Sequence, residues 1–186
     1  MTSKTSICNR AAQLVGDDTI LDITDDNTLA IECNRAYEPV RNAALRSHPW
    51  SFSRSRAVLA KDTLAPLFEW NNSFSLPADW IRFLSLEDPL HTYEIEGRKL
   101  LTNLDAPLNI RYFKLVTDEN TFDPLFVELL AHEIAYAIVE KLTQSNSKKQ
   151  IIRFDRTDII AQAKRVNAIE RIPTKPVEDD WILVRR

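Results

Sequence analysis

Residues 132–136 read HEIAY and sit where the apolar spacing makes a helix. A zinc-protease helix needs a second histidine four residues after the first, so that two imidazoles on one face reach one metal. Here that position is Tyr136, and the chain has 3 histidines, widely separated. His132 is therefore read with Glu128, Tyr136 and Glu140 as a polar stripe, and no metal site is expected. Carboxylates recur in pairs at Asp17-Asp18, Asp25-Asp26, Glu87-Asp88 and Asp179-Asp180. Glycoside hydrolysis needs two such groups facing each other across a cleft. Solvated loops, helix caps and partner contacts need no such arrangement, and they are the plainer roles. No serine, cysteine or histidine stands in a recognisable nucleophile context. The chain's 2 cysteines, Cys8 and Cys33, fall on apolar helix faces with no further ligand at metal spacing, and read as small buried hydrophobes. Its 2 glycines, Gly16 and Gly97, are too few for a glycine-rich phosphate cradle. The expectation is a chain without catalytic, cofactor-binding or metal-ligating residues.

One basic motif remains. Arg54 and Arg56, in HPWSFSRSRAVLA (48–60), are two apart. On a strand that spacing puts both guanidiniums on one face, toward solvent, acidic partner residues or phosphates. The net charge of −3 argues against a broad grip on nucleic acid, which rests on neutralising phosphates with a basic excess. A hydrophobic content of 44% and a charged content of 27% are those of an ordinary globular protein. No stretch approaches the roughly 20 apolar residues of a membrane span, so a cytoplasmic protein, or one assembled there, is expected.

The elements that must position these residues follow from periodicity. Ile7, Ala11, Leu14 and Val15 recur at helical spacing and Gly16 stands at a stop, predicting a helix from about Ser3 to Val15. After an acidic connection, Asp26 or Asn27 can cap a second helix with Leu29, Cys33, Ala36, Tyr37, Val40, Ala44 and Leu45 on its apolar face. It bends at Pro39 and ends before His48-Pro49. From Phe52 to Val116 the period becomes two. Phe68, Trp70, Phe74 and Leu76 are placed on one side of a strand, and Leu108, Ile110 and Tyr112 on another. Residues 92–103 predict a hairpin tipped by Glu96-Gly97. Four prolines, Pro66, Pro77, Pro89 and Pro107, favour short antiparallel strands.

Asp123 caps and Pro124 opens a third helix over about 122–145. It is so apolar that a neighbouring copy of the chain is expected to cover part of it, with Phe126, Leu130 and Ile134 at that contact beside Arg54 and Arg56. A fourth helix, from about Lys148 to Arg171, is amphipathic along Ile152, Ile159, Ala163, Val166 and Ile169. The fold class is thus α+β. About four antiparallel helices (1–48 and 122–171) form a bundle, a β-rich antiparallel insertion (49–121) lies between helices 2 and 3, and an extended arm (172–186) follows. That arm ends in the apolar cluster Trp181, Ile182, Leu183 and Val184.

HPWSFSRSRAVLA, followed by WNNSFSLPADWIRFLSL (70–86), YEIEGRKLLTN (93–103), LNIRYFK (108–114) and FDPLFVELLAHEIAYAI (122–138), resembles the head-to-tail connector adaptors of tailed bacteriophages, the tail tubular protein A type. The likeness spans roughly residues 5 to 170 and lies in the order and spacing of packing and turn signatures. It implies a structural protein of the virion's head–tail junction, assembled in the bacterial host cytoplasm. It further implies a homo-oligomeric ring of about twelve copies, a closed cyclic assembly, docked between the portal protein and a downstream tail or nozzle protein. Genomic DNA would pass through the lumen without sequence-specific binding, and no membrane or cofactor would be involved. Trp181, Ile182, Leu183 and Val184 are then assigned to portal binding. Two other readings stay open: a tail-associated peptidoglycan hydrolase, drawn from the abundance of carboxylates, and a DNA-binding packaging factor using Arg54, Arg56 and basic residues of the fourth helix.

Overall fold

A computed structural model of the chain describes residues 2–170. The architecture is mixed α+β, with four helices and two small antiparallel sheets of three strands each among the described residues. Helix α1 spans Lys4–Val15, and the hydroxyl of Ser3 accepts the Ser6 amide while the Ser6 hydroxyl accepts that of Ser3. Gly16 closes the helix in the left-handed region (φ 76°), which a glycine reaches without a Cβ clash. Helix α2 spans Thr28–Ser47, is capped by Asn27 rather than Asp26, and continues through Pro39. His48 leaves it in extended geometry, as a residue before proline must.

Six strands follow before the next helix: β1 (Arg54–Leu59), β2 (Asn72–Ser75), β3 (Trp80–Leu86), β4 (Tyr93–Glu96), β5 (Lys99–Thr102) and β6 (Leu108–Lys114). One sheet has the order β1-β6-β3 and the other β2-β5-β4. The hairpin falls where the spacing predicts, with Gly97 at positive φ between β4 and β5. The strand predicted through Phe68 and Trp70 does not form. β2 begins only at Asn72, and Phe68 lies in an exposed connection. Alternation over 68–76 was misleading because Pro66 and the positive φ of Glu69 hold that segment out of the ladder. Asn72, polar on an otherwise apolar face, is buried and donates to the Leu104 carbonyl at 2.7 Å.

Helix α3 spans Pro124–Thr143, with the Asp123 carboxylate accepting the Leu125 and Phe126 amides. Helix α4 spans Asn146–Ile169. α3 packs against α1, α2 and α4 of its own chain. Phe126, Leu130 and Ile134 are each 0% exposed within that single chain. The expectation that a neighbouring copy covers them is therefore corrected. Three helices of the same chain pack around the apolar faces of α3, which is enough to bury them. α4 also differs from its predicted face. Ile152, Ala163 and Asn167 are buried, whereas Val166 and Ile169 are exposed.

Two apolar cores result. One joins the four helices with Trp50, Val116 and Phe122, and the other fills the space between the sheets around Phe74, Leu86, Leu100, Ile110 and Tyr112. Ile81 of β3 and Leu115 just past β6 pack on the helical core, so the sheets are seated on the helices. Truncating Phe126 to alanine removes a fully buried ring and should lower stability by about 3–5 kcal/mol. The same change at exposed Phe68 should stay within about 0.5 kcal/mol. Urea denaturation of both variants checks the pair, and equal losses would contradict this core.

Candidate functional site

The stretch 48–60 is a joint. Trp50 is 1% exposed, and its indole donates to the Ala44 carbonyl at 2.9 Å, folding the chain back on the end of α2. Its ring meets His48 at 4.7 Å, Phe52 at 6.2 Å and Phe126 at 5.0 Å between centroids. Phe52 in turn meets Phe122 at 5.8 Å and Phe126 at 5.0 Å. One aromatic cluster thus ties the point where the chain leaves the helices to the point where it returns. Asn167, near the end of α4, closes the joint from outside the motif. Its side-chain oxygen accepts the Ser51 amide at 2.8 Å, and its nitrogen lies 2.9 Å from His48 Nε2 and 3.3 Å from the Pro49 carbonyl. Nothing in the local sequence singled out Asn167. The only signal was a polar residue at a helix position, 163 plus four, that continues the buried face.

Beyond the joint, β1 carries Arg54 and Arg56 outward. Across an antiparallel ladder, directly opposed residues share a face. Arg54 opposes Phe113, Arg56 opposes Arg111, and Arg82 of β3 opposes Phe113 from the other side. Four exposed arginines therefore lie on the outer face of the β1-β6-β3 sheet, while Ala57, Phe83, Ile110 and Tyr112 point into the core beneath. The two predicted arginines are brought together with two that the sequence did not pair with them, because register alone decides that partnership. No ion pair joins any of the four to a described acidic residue of this chain.

A second surface is apolar. The β1–β2 connection exposes Leu64 by 76%, Leu67 by 98% and Phe68 by 78%. Its root is held firmly. Asp62 accepts the Ser73 and Ser75 hydroxyls at 2.8 and 2.9 Å and pairs with Lys99 at 3.2 Å. Those hydroxyl and ammonium partners outweigh the cost of burial and hold its carboxyl below the usual aspartate range. The connection lines a shallow cavity of about 280 Å³ with Trp70 and Leu101.

The remaining chemical candidates are dispersed among loops and helices. His132 is buried, with Nδ1 at 2.8 Å from the Glu128 carbonyl, and no group of three or more metal-ligating side chains exists among the described residues. Asp17 and Asp25 accept amides of their own loop, and Asp88 accepts the Leu90 amide. Cys8 and Cys33 are both buried and unbridged. No described helix is long and apolar enough to cross a membrane. Trp181, Ile182, Leu183, Val184 and the Asp179-Asp180 pair lie outside the described residues. In comparisons with known proteins, no family model and no curated protein matches this sequence.

Glu128 ties α3 to α1 through a two-pronged pair with Arg10, at 2.6 and 3.0 Å. The Arg10 guanidinium, acting first through that hydrogen bond, holds the Glu128 carboxyl below the ordinary glutamate value. A depressed carboxylate contributes stability that is fully present above its unfolded value, about 4.3, and is lost as pH falls through the folded value. Replacing Arg10 with glutamine should therefore lower Tm at pH about 6 by more than at pH about 3. Thermal denaturation across that range tests the sign, and a gap that widens on acidification would refute the assignment.

Proposed function

We propose that this chain is a structural head-to-tail connector of a tailed bacteriophage, forming a ring beneath the portal that joins capsid to tail and lets the genome through. The observation that carries the reading is the meeting of two stretches of the connector resemblance. HPWSFSRSRAVLA and FDPLFVELLAHEIAYAI are 74 residues apart at their starts (122 minus 48), yet they interlock through Trp50, Phe52, Phe122 and Phe126. In this reading 1–48 and 122–171 make one antiparallel helical bundle, 49–121 is its β-rich insertion and 172–186 is an arm that reaches the portal through Trp181, Ile182, Leu183 and Val184.

The case for assembly rests on the surface and not on α3. A cluster such as Leu64, Leu67 and Phe68, raised on a firmly held root, is a feature of contact sites. Ile151 and Phe154 add a second exposed apolar pair on α4, at 61% and 70%. These suit a protomer that meets neighbours or tail proteins on more than one side, and Arg54 and Arg56 lie on a further exposed face.

Mixing the purified chain with purified portal and measuring the mass of the product tests the reading. A multi-subunit complex on the portal is expected, and a chain that stays monomeric with portal and tail components alike overturns it. Replacing Leu67 and Phe68 together by serine should weaken that complex at least tenfold, about 1.4 kcal/mol, while leaving Tm within about 2 °C. Unchanged assembly would remove this loop from the contact.

A further inference from the structure

We infer that the four-arginine face of the β1-β6-β3 sheet is a binding surface for the phosphodiester backbone of duplex DNA. Arg56 and Arg111 stand directly opposite each other, an arrangement that costs stability through like-charge repulsion unless an anion lies between them. With Glu87 and Asn109 they line a shallow cavity of about 290 Å³. Arg54 and Arg82 flank Phe113 in the next row, two strand spacings or about 10 Å apart. All four are exposed, and none makes a side-chain hydrogen bond, ion pair or ring contact among the described residues. Glu87, the nearby carboxylate, accepts the Asn109 amide at 2.7 Å and forms no ion pair with any of the four. Every cation here is arginine, whose planar fork suits phosphate oxygens two at a time. Successive phosphates advance about 3.4 Å along the axis per strand, so a face about 10 Å across meets about three of them.

An acidic surface of a second copy is the competing occupant. The densest one is the α1–α2 connection, with Asp17, Asp18, Asp22, Asp25 and Asp26. Three of its five carboxylates, those of Asp17, Asp22 and Asp25, accept hydrogen bonds within the loop. Asp22 accepts the Thr24 amide and hydroxyl at 2.9 and 2.6 Å, and Asp25 accepts the Leu21 and Asp22 amides at 3.0 and 3.1 Å. The phosphate backbone is favoured by the all-arginine composition of the face, and self-association through that loop is the outcome the test separates from it. The inference rests on the connector reading only for where the DNA comes from. Contact through backbone phosphates alone carries no sequence preference.

The test uses the full chain and a fluorescent 20-base-pair duplex in two unrelated sequences, titrated at several salt concentrations. Equal affinity for both sequences is expected, with log K falling against log salt at a slope of about −2.7 for about three phosphates neutralised. Arg56→Gln with Arg111→Gln should weaken binding about tenfold or more at low salt and reduce the slope by about 1.8. Arg153→Gln with Arg165→Gln, on α4, should leave both unchanged. No binding at low salt, or a loss that follows the α4 pair instead, overturns the proposal. So does a result in which the Arg56/Arg111 variant abolishes self-association in sedimentation velocity while the wild type never binds DNA. Portal assembly is read separately: assembly without DNA binding sinks this inference alone, and DNA binding without assembly sinks the connector reading alone.

Discussion

Burial of Trp50 against Phe52 and Phe126 is the constraint on which the rest of the structure depends. These rings lie where α2 ends, where the sheets begin and where α3 starts, so one cluster holds three chain segments together. Aromatic pairs in this geometry add about 0.5–1.5 kcal/mol each beyond the apolar area they bury. The indole nitrogen, which would be costly to bury unpaired, is satisfied by the Ala44 carbonyl. Asn167 supplies the polar complement, engaging the Ser51 amide that the turn leaves without a ladder partner. With the joint fixed, the β1-β6-β3 sheet is seated on the helices through Ile81 and Leu115, and Arg54, Arg56, Arg82 and Arg111 are left in solvent.

That orientation gives the arginine face its character. The inner residues of β1, β3 and β6 are drawn to the core around Tyr112 and Ile110, and pleating sends their neighbours outward. Arg54, Arg56, Arg82 and Arg111 are outward for that reason alone. Their convergence without a described acidic partner is a departure from what charge balance would favour, and such departures concentrate at sites of function. The apolar β1–β2 connection is a second departure, in which Asp62 anchors a segment whose tip remains in water.

Much of the local architecture was legible in the chain because its signals are local. Gly16, Asn27, Pro49 and Asp123 mark helix ends through backbone geometry or a single side-chain hydrogen bond, and each acts within a few residues. The hairpin at Gly97 and the corner at Trp50 were legible for the same reason. Phe68 was misjudged because alternation reports what a strand would do, not whether a partner strand is in reach. Helix α3 was misjudged more consequentially. Its apolarity says that it is covered, and says nothing about whose atoms cover it.

The sequence by itself therefore determined the helices, their caps, the turn to β structure and the burial of Cys8 and Cys33, since propensity and period are properties of neighbouring residues. Only the tertiary structure decided that α1, α2 and α4 enclose α3, that Asn167 closes the joint, and that Arg82 and Arg111 join Arg54 and Arg56 on one face. Those outcomes depend on strand register and helix docking between residues far apart in the chain, and a shift of one residue in a strand's register would send that strand's arginines to the opposite side.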